Sequence, residues 1–197
     1  MLWVKKYSIN MPAYFKTICN EYTEKHNPDP VGIYKNAWDS KGWTIWNNDQ
    51  KDSSNHSHLK IYQQLSKSDA SSLAQGLNEI RQNINDITGA NLEYPKGFCY
   101  IWRYDENFPK CPTHIDGPEE MAGSICSSIS GKFKIHLHHK NTNKILDTVT
   151  VTDKDLIALN NTVYPHSVEG RGKLVVFGID SQSDPEEFFY GESPDAG

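Results

Sequence analysis

The apolar positions of this chain change period once, near Pro95, and the change divides it into two textures. Before that point the spacing is helical. Tyr14, Phe15, Ile18, Cys19 and Tyr22 recur at three- and four-residue intervals across 12–26, which is one face of an amphipathic helix. Pro12 suits its first turn, where a missing N–H leaves nothing unpaired. A second helix is predicted over 71–89, with Ser71 or Ser72 as its cap, Leu73, Leu77, Ile80, Ile84 and Ile87 as its stripe, and Gly89 as its stop. Between the two, 31–47 carries Trp38, Trp43 and Trp46 with Gly32 and Gly42 and reads as extended structure with turns, while 49–58 is a polar loop. The three tryptophans read as helix-to-sheet packing.

After Pro95 the pattern shortens to strands. Residues 98–104, 132–138, 145–151, 155–159, 162–168 and 173–179 are rich in Val, Ile, Thr and aromatics and are separated by Gly, Pro, Asn and Asp. No helical segment lies between them, so the pairing is antiparallel, because parallel neighbours need long crossovers. The expectation is a mainly β single domain over 1–197: a helical and extended N-terminal support in 1–95, a jelly-roll barrel or sandwich in 96–180, and a tail in 181–197 ordered at best through Phe188, Phe189 and Tyr190.

Composition narrows the function. Hydrophobic residues at 37% and aromatics at 11% are too many for a disordered chain, and 197 residues can enclose a sizeable core. The balance of 20 Lys+Arg against 25 Asp+Glu, net −5, argues against a stable nucleic-acid partner, whose binding would come from neutralised phosphates. No window approaches the roughly 18 to 20 apolar residues of a spanning helix, so no membrane partner is expected. Residues 1–7 lack the apolar core of a secretory signal, which places the chain in the cytoplasm. Cys19, Cys99, Cys111 and Cys126 form no C-x-x-C pair; reduced thiols are expected rather than a zinc knuckle or a redox motif.

The sharpest chemical feature is His114-Ile115-Asp116, with His166 farther along. In a strand, positions i and i+2 share a face, so His114 and Asp116 can present an imidazole and a carboxylate to one ion. His166, on a later strand of a rolled sheet, can supply a third ligand. Two histidines and one carboxylate suit octahedral iron(II) and leave three positions open, two for a chelating cosubstrate and one for dioxygen. An H-x-D triplet alone arises by chance in a chain with 8 His and 25 acidic residues. Its place at a strand end opening into a loop adds weight. Trp102 or Arg103 faces the barrel interior, Trp102 as core packing, whereas His56 and His58 sit in the polar loop and read as solvated. No G-x-S-x-G, H-E-x-x-H, P-loop or dinucleotide fingerprint is present, which removes the commonest hydrolase, kinase and dehydrogenase readings.

The segments Ile101-Trp102-Arg103-Tyr104, His114-Ile115-Asp116, Lys134-Ile135-His136-Leu137, Asp155-Leu156-Ile157-Ala158-Leu159-Asn160-Asn161-Thr162 and Pro165-His166-Ser167-Val168-Glu169-Gly170-Arg171-Gly172-Lys173, in this order across 97–180, resemble the iron(II)/2-oxoglutarate dioxygenases of the aspartyl/asparaginyl β-hydroxylase type. The resemblance implies a double-stranded β-helix, iron(II) on His114, Asp116 and His166, and 2-oxoglutarate and dioxygen as cosubstrates. It implies hydroxylation of an unactivated C–H in a peptide side chain, an amino acid or a small metabolite, with succinate and carbon dioxide as coproducts. A far carboxylate buried in a barrel needs a fixed cation; Lys173, opening the strand after His166, is the first choice and Arg171 its rival. Lys134 and His136 stand where the family shows Arg-x-His facing the cosubstrate. His138 shares their parity, so 134–139 also reads as a metal cluster. Asp116, in place of Gly or Ala, favours hydroxylation over halogenation. The competing reading is a cupin-like metal-binding module or isomerase on zinc or manganese, without oxygenase activity.

Overall fold

The computed structural model describes residues 1–8, 12–30, 41–47, 75, 79–87, 98–117, 121–179, 189–191 and 194. In chain order these form β1 (Val4–Ser8), α1 (Ala13–Lys25), β2 (Asp29–Pro30) and β3 (Lys41–Asn47), a helix α2 at 79–87, then β4 (Phe98–Tyr104), β5 (Lys110–His114), β6 (Gly123–His138), β7 (Ile145–Val151), β8 (Asp155–Leu159) and β9 (His166–Ile179). Among the described residues every strand pair is antiparallel.

One ladder organises the rest. β6 and β9 pair along nearly their whole length, from Gly123 opposite Ile179 to Leu137 opposite His166. At the start of β6 the ladder is flanked by β8 and then β1, and at the end of β9 by β4, β3 and β2. At the other end β7 joins β6 and β5 joins β9. Two sheets therefore share the same two long strands. Phe133, Ile135, Leu137 and Val168 from the smaller sheet meet Tyr104, Cys126, Ile157 and Leu174 from the larger one in a buried core. This is a double-stranded β-helix. On the outer face of the larger sheet, Ile101, Ile125, Val175 and Phe177 pack against Phe15, Cys19 and Tyr22 of α1 and Ile80 and Ile84 of α2. The Tyr14 hydroxyl, donating to the Glu79 carboxylate, links the two helices.

Several boundaries differ from expectation for local reasons. β6 starts at Gly123 rather than 132, because the serine-rich stretch hides its alternation: Ser127 Oγ donates to the Asp155 carbonyl at 2.7 Å and Ser128 Oγ to the Gly131 carbonyl at 2.9 Å, so buried hydroxyls are satisfied inside a strand. The expected strands 162–168 and 173–179 are one strand, β9, preceded by a turn at 161–163. β5 is the strand end expected before the His114-Ile115-Asp116 loop; β1 lies outside the expected set and enters the larger sheet beside β8, so the N-terminal segment contributes to the sheet as well as bracing it. Ile87 sits off the buried stripe, 45% exposed. Phe189 is fully buried and Tyr190 exposed. All four cysteines are free and buried. Among the described residues no helix is long and apolar enough to cross a membrane. Ser71, Ser72, Leu73, Leu77, Gly89, Trp38, His56, His58 and Phe188 lie outside the described residues, as does the 49–58 loop.

The ladder bends where Gly131 faces Gly172. Their φ angles are +85° and +123°, in the region that L side chains rarely adopt. A Cβ on Gly131 would lie 1.9 Å from the Arg171 carbonyl oxygen. Gly131→Ala is expected to destabilise the fold by at least ~1–3 kcal/mol from backbone strain alone. Ile145→Ala, at a 47% exposed position, should stay within about 0.5 kcal/mol of the parent. Urea denaturation of both variants checks this.

Candidate metal centre

β5 ends at His114, which is paired across the ladder with His166, so both imidazoles leave the sheet at one place. Asp116 lies beyond the strand. Its backbone N–H donates to the Asn161 carbonyl at 3.0 Å, and this tether to the β8–β9 connection, rather than strand alternation, turns its carboxylate toward the histidines. His114 Nε2 is 3.4 Å from Asp116 Oδ1 and His166 Nε2 is 3.6 Å from Asp116 Oδ2. One ligand atom from each residue lies within 4.8 Å of the others.

The surroundings orient each donor. His114 Nδ1 donates to the Pro112 carbonyl at 2.7 Å, and His166 Nδ1 to the Tyr164 carbonyl at 3.3 Å, which leaves both Nε2 atoms turned to the common point. Asn161, itself buried, donates from Nδ2 to Asp116 Oδ2 at 2.5 Å and to Ser124 Oγ at 2.9 Å. Its Oδ1 is buried without a hydrogen-bond partner among the described residues. That orphaned acceptor is the consequence of turning the amide N–H groups toward the carboxylate and Ser124.

The three ligands titrate apart. Burial opposes a charge on His114, but its contacts with Asp116 and Cys111 outweigh this and raise its pKa to about 10. Burial and then the neighbouring His114 charge hold His166 down to about 4, against the pull of Asp116. Asp116 is pushed up by burial and pulled down further by its hydrogen bond to His114 and the charge of the histidines, so its pKa is lowered overall. The metal-free centre is therefore an imidazolium, a carboxylate and a neutral imidazole. Two imidazole nitrogens and one carboxylate oxygen on one side of a common point form a donor set that fits iron(II).

The other expected site residues are not brought to this point. β9 runs without interruption, and His166, Val168 and Leu174, at even separations, face the core between the sheets. Lys173 and Arg171 stand at odd separations and face the other way. Lys173 Nζ donates to Asn20 Oδ1 of α1 at 3.2 Å. Arg171 is exposed beside Glu106, 3.8 Å away. On β6 it is Phe133, Ile135 and Leu137 that face the core, so Lys134, His136 and His138 occupy the outer face. Lys134 and His136 lie 3.8 and 3.3 Å from Glu169. His136 Nδ1 meets Thr148 Oγ1 at 2.8 Å, and His138 is held between the Asn143 carbonyl and Ser167 Oγ. The 134–139 run is a network of structural hydrogen bonds, not a second set of convergent ligands.

Two residues at the centre carry no role in the sequence reading. Asn161 lies within 155–162, one of the segments that carry the family resemblance, and its N–H contact with Asp116 emerges only when the β8–β9 connection folds over 114–116. Tyr104, 4% exposed, lies inside the core near Asp116; burial, then Cys111, Cys126 and Asp116, push its phenol well above the usual value. An aromatic with a polar tip at a strand end was the available signal.

Neither a family model nor a curated protein matches the sequence. The fold is similar to a Pseudomonas putida prolyl-4-hydroxylase, at TM-score 0.55 and 14% identity over 91% of this chain and 93% of that one. It is similar also to a Trichoplax adhaerens prolyl hydroxylase in complex with a hypoxia inducible factor oxygen degradation domain peptide fragment, at TM-score 0.50 and 10% identity over 91% of this chain and 84% of that one. A Burkholderia pseudomallei oxidoreductase of the 2OG-Fe(II) oxygenase family aligns at TM-score 0.48 and 14% identity, over 92% and 89%.

Asn161→Ala should weaken metal binding by roughly 10- to 100-fold, the usual effect of removing a group that orients a ligand, with the fold retained. Asn161→Asp, which sets two carboxylates together, should weaken it more; competition against a chromogenic chelator reads both. Because His114 is protonated up to about pH 10, metal must displace its proton throughout pH 6–8. Calorimetry in buffers of differing ionisation enthalpy should show about one proton released per ion, with affinity rising roughly tenfold per pH unit.

Proposed function

We propose that the chain is an iron(II)-dependent oxygenase that couples the oxidative decarboxylation of a 2-oxo acid, 2-oxoglutarate in the sequence reading, to hydroxylation of an unactivated C–H. The observation that carries the reading is the convergence of His114 Nε2, Asp116 and His166 Nε2 on one point inside the mouth of a double-stranded β-helix. Two lines support it from other directions: the resemblance of 97–180 to the aspartyl/asparaginyl β-hydroxylase type, and the likeness of the fold to prolyl hydroxylases.

His114, Asp116 and His166 would hold the iron by one side. Bound there, the metal supplies the activation of dioxygen that a protein side chain cannot. In balance, one oxygen atom enters the new carboxylate, carbon dioxide leaves, and the other oxygen becomes the hydroxyl of the product. The chain's own part is placement. Asn161 fixes the carboxylate, the Pro112 and Tyr164 carbonyls fix the tautomers of the two histidines, and the apolar walls around Tyr104 and Leu174 exclude water. The neutral His166 is ready to bind, whereas His114 must first lose its proton. Ile115, 38% exposed beside Asp116, gives the mouth an apolar rim suited to a side chain offered from outside. A peptide side chain is the favoured substrate among the three classes, since a prolyl hydroxylase of similar fold is in complex with a peptide fragment.

Lys173 and Arg171 face away, so no step is assigned to an ion pair with a far carboxylate. The cupin-like alternative keeps the triad and lacks turnover. Incubating the pure protein with iron(II), ascorbate, oxygen and a panel of 2-oxo acids should release carbon dioxide slowly without substrate, and His166→Ala should abolish the release. Iron binding by the parent without carbon dioxide from any 2-oxo acid would establish the metal-binding module instead.

A further inference from the structure

Resting on that reading, we propose that the barrel accepts the tail of its 2-oxo-acid cosubstrate on an uncharged surface, and so binds a 2-oxo acid with an apolar tail in preference to 2-oxoglutarate. The core face beside the triad is built from Trp102 and Tyr104 on β4, Cys126 on β6, and Leu174 and Val176 on β9. Trp102 and Val176 are half-buried and pack against this core. Leu174 and Val176 occupy the even-numbered places on β9 that an inward cation would need.

The basic side chains of the framing strands are committed elsewhere. Arg103 Nε pairs with Asp105 at 2.8 Å, Lys173 reaches Asn20, and Arg171 and Lys134 lie near Glu106 and Glu169. Lys110 and Lys132 are exposed. Among the described residues, no lysine or arginine of these strands joins the inner face.

Charge balance points the same way. Iron(II) carries two positive charges; Asp116 cancels one and the 1-carboxylate of a chelated 2-oxo acid cancels the other. A neutral tail leaves the buried centre neutral. A second carboxylate would add an uncompensated negative charge in a low-dielectric interior, which is strongly unfavourable.

The test is an anaerobic titration of the iron(II)-loaded protein with 2-oxoglutarate and, separately, with the 2-oxo acid derived from leucine, read by the visible charge-transfer band and by calorimetry. The leucine-derived acid should bind at least on the order of 10-fold tighter, since one missing charge-assisted contact already has that effect. Val176→Lys, which adds an inward cation, should narrow or reverse the preference. If the parent binds 2-oxoglutarate as tightly as the leucine-derived acid or more so, the inference fails and the oxygenase reading stands. If the iron-loaded protein binds neither acid, the oxygenase reading fails and takes the inference with it. The parent titration decides the matter even where the variant does not fold.

Discussion

The pairing of β6 with β9 is the constraint on which everything else rests. A single antiparallel ladder belongs to both sheets, so the bend at Gly131 and Gly172 sets how far the sheets close on each other. The same ladder fixes which side chains enter the space between them. Once Leu137 stands opposite His166, the parity of β9 places Val168 and Leu174 inside with the histidine. β5 then pairs with the start of β9 and delivers His114 beside His166. Metal ligands, core and outward cations are consequences of one register, and a slip by one residue would exchange all of them.

The strands and their antiparallel pairing were legible because 98–104, 145–151 and 155–159 are short, rich in Val, Ile, Thr and aromatics, and have no helical crossover between them. The start of β6 was not, because its inner-facing Ser124, Cys126 and Ser128 have little hydrophobic contrast with their neighbours. The triad was legible as residue types, yet the reason it assembles was only half visible: His114 is placed by strand pairing, Asp116 by a backbone hydrogen bond from a segment 45 residues away. The outward placement of the two expected anchors follows from a point that the sequence does contain. Lys173 and Arg171 are an odd number of places from His166, and only a bulge between them could have turned either one inward. A family resemblance suggests the residue type but does not carry the bulge, and the one irregularity of the β6–β9 ladder puts its extra residue on β6, between Ser128 and Ser130, leaving the alternation of β9 intact.

The electrostatics of the centre explain how three polar side chains tolerate one another at this depth. An isolated carboxylate at the Asp116 position would be costly to bury, but it is flanked by the imidazolium of His114 and by the Asn161 amide. The proton on His114 is a placeholder for the metal's positive charge. The sign follows from its pKa of about 10 against the ordinary 6.5 of a histidine: the pair's contribution to stability is fully present below about pH 6.5 and is lost as pH rises through about 10. His166 makes the opposite contribution. Held neutral down to about 4, it penalises folding only where the unfolded chain is protonated, below about pH 6.5, so over that range the two histidines offset one another.

The two histidines differ because their surroundings differ, although they bear the same relation to the carboxylate. His166 lies on β9 inside the ladder, its side chain 6% exposed, and its neighbours Val168 and Leu137 are core residues. His114 ends an edge strand, its side chain 14% exposed, in contact with the Cys111 sulfur at 3.8 Å. A second proton would put two like charges 4.3 Å apart, ring centre to ring centre, so one imidazole must remain neutral. The more enclosed ring loses that competition. The neutral ligand is thus the inner one, fixed by the core, and the proton that metal must expel lies on the outer one, nearest the mouth through which an ion would enter.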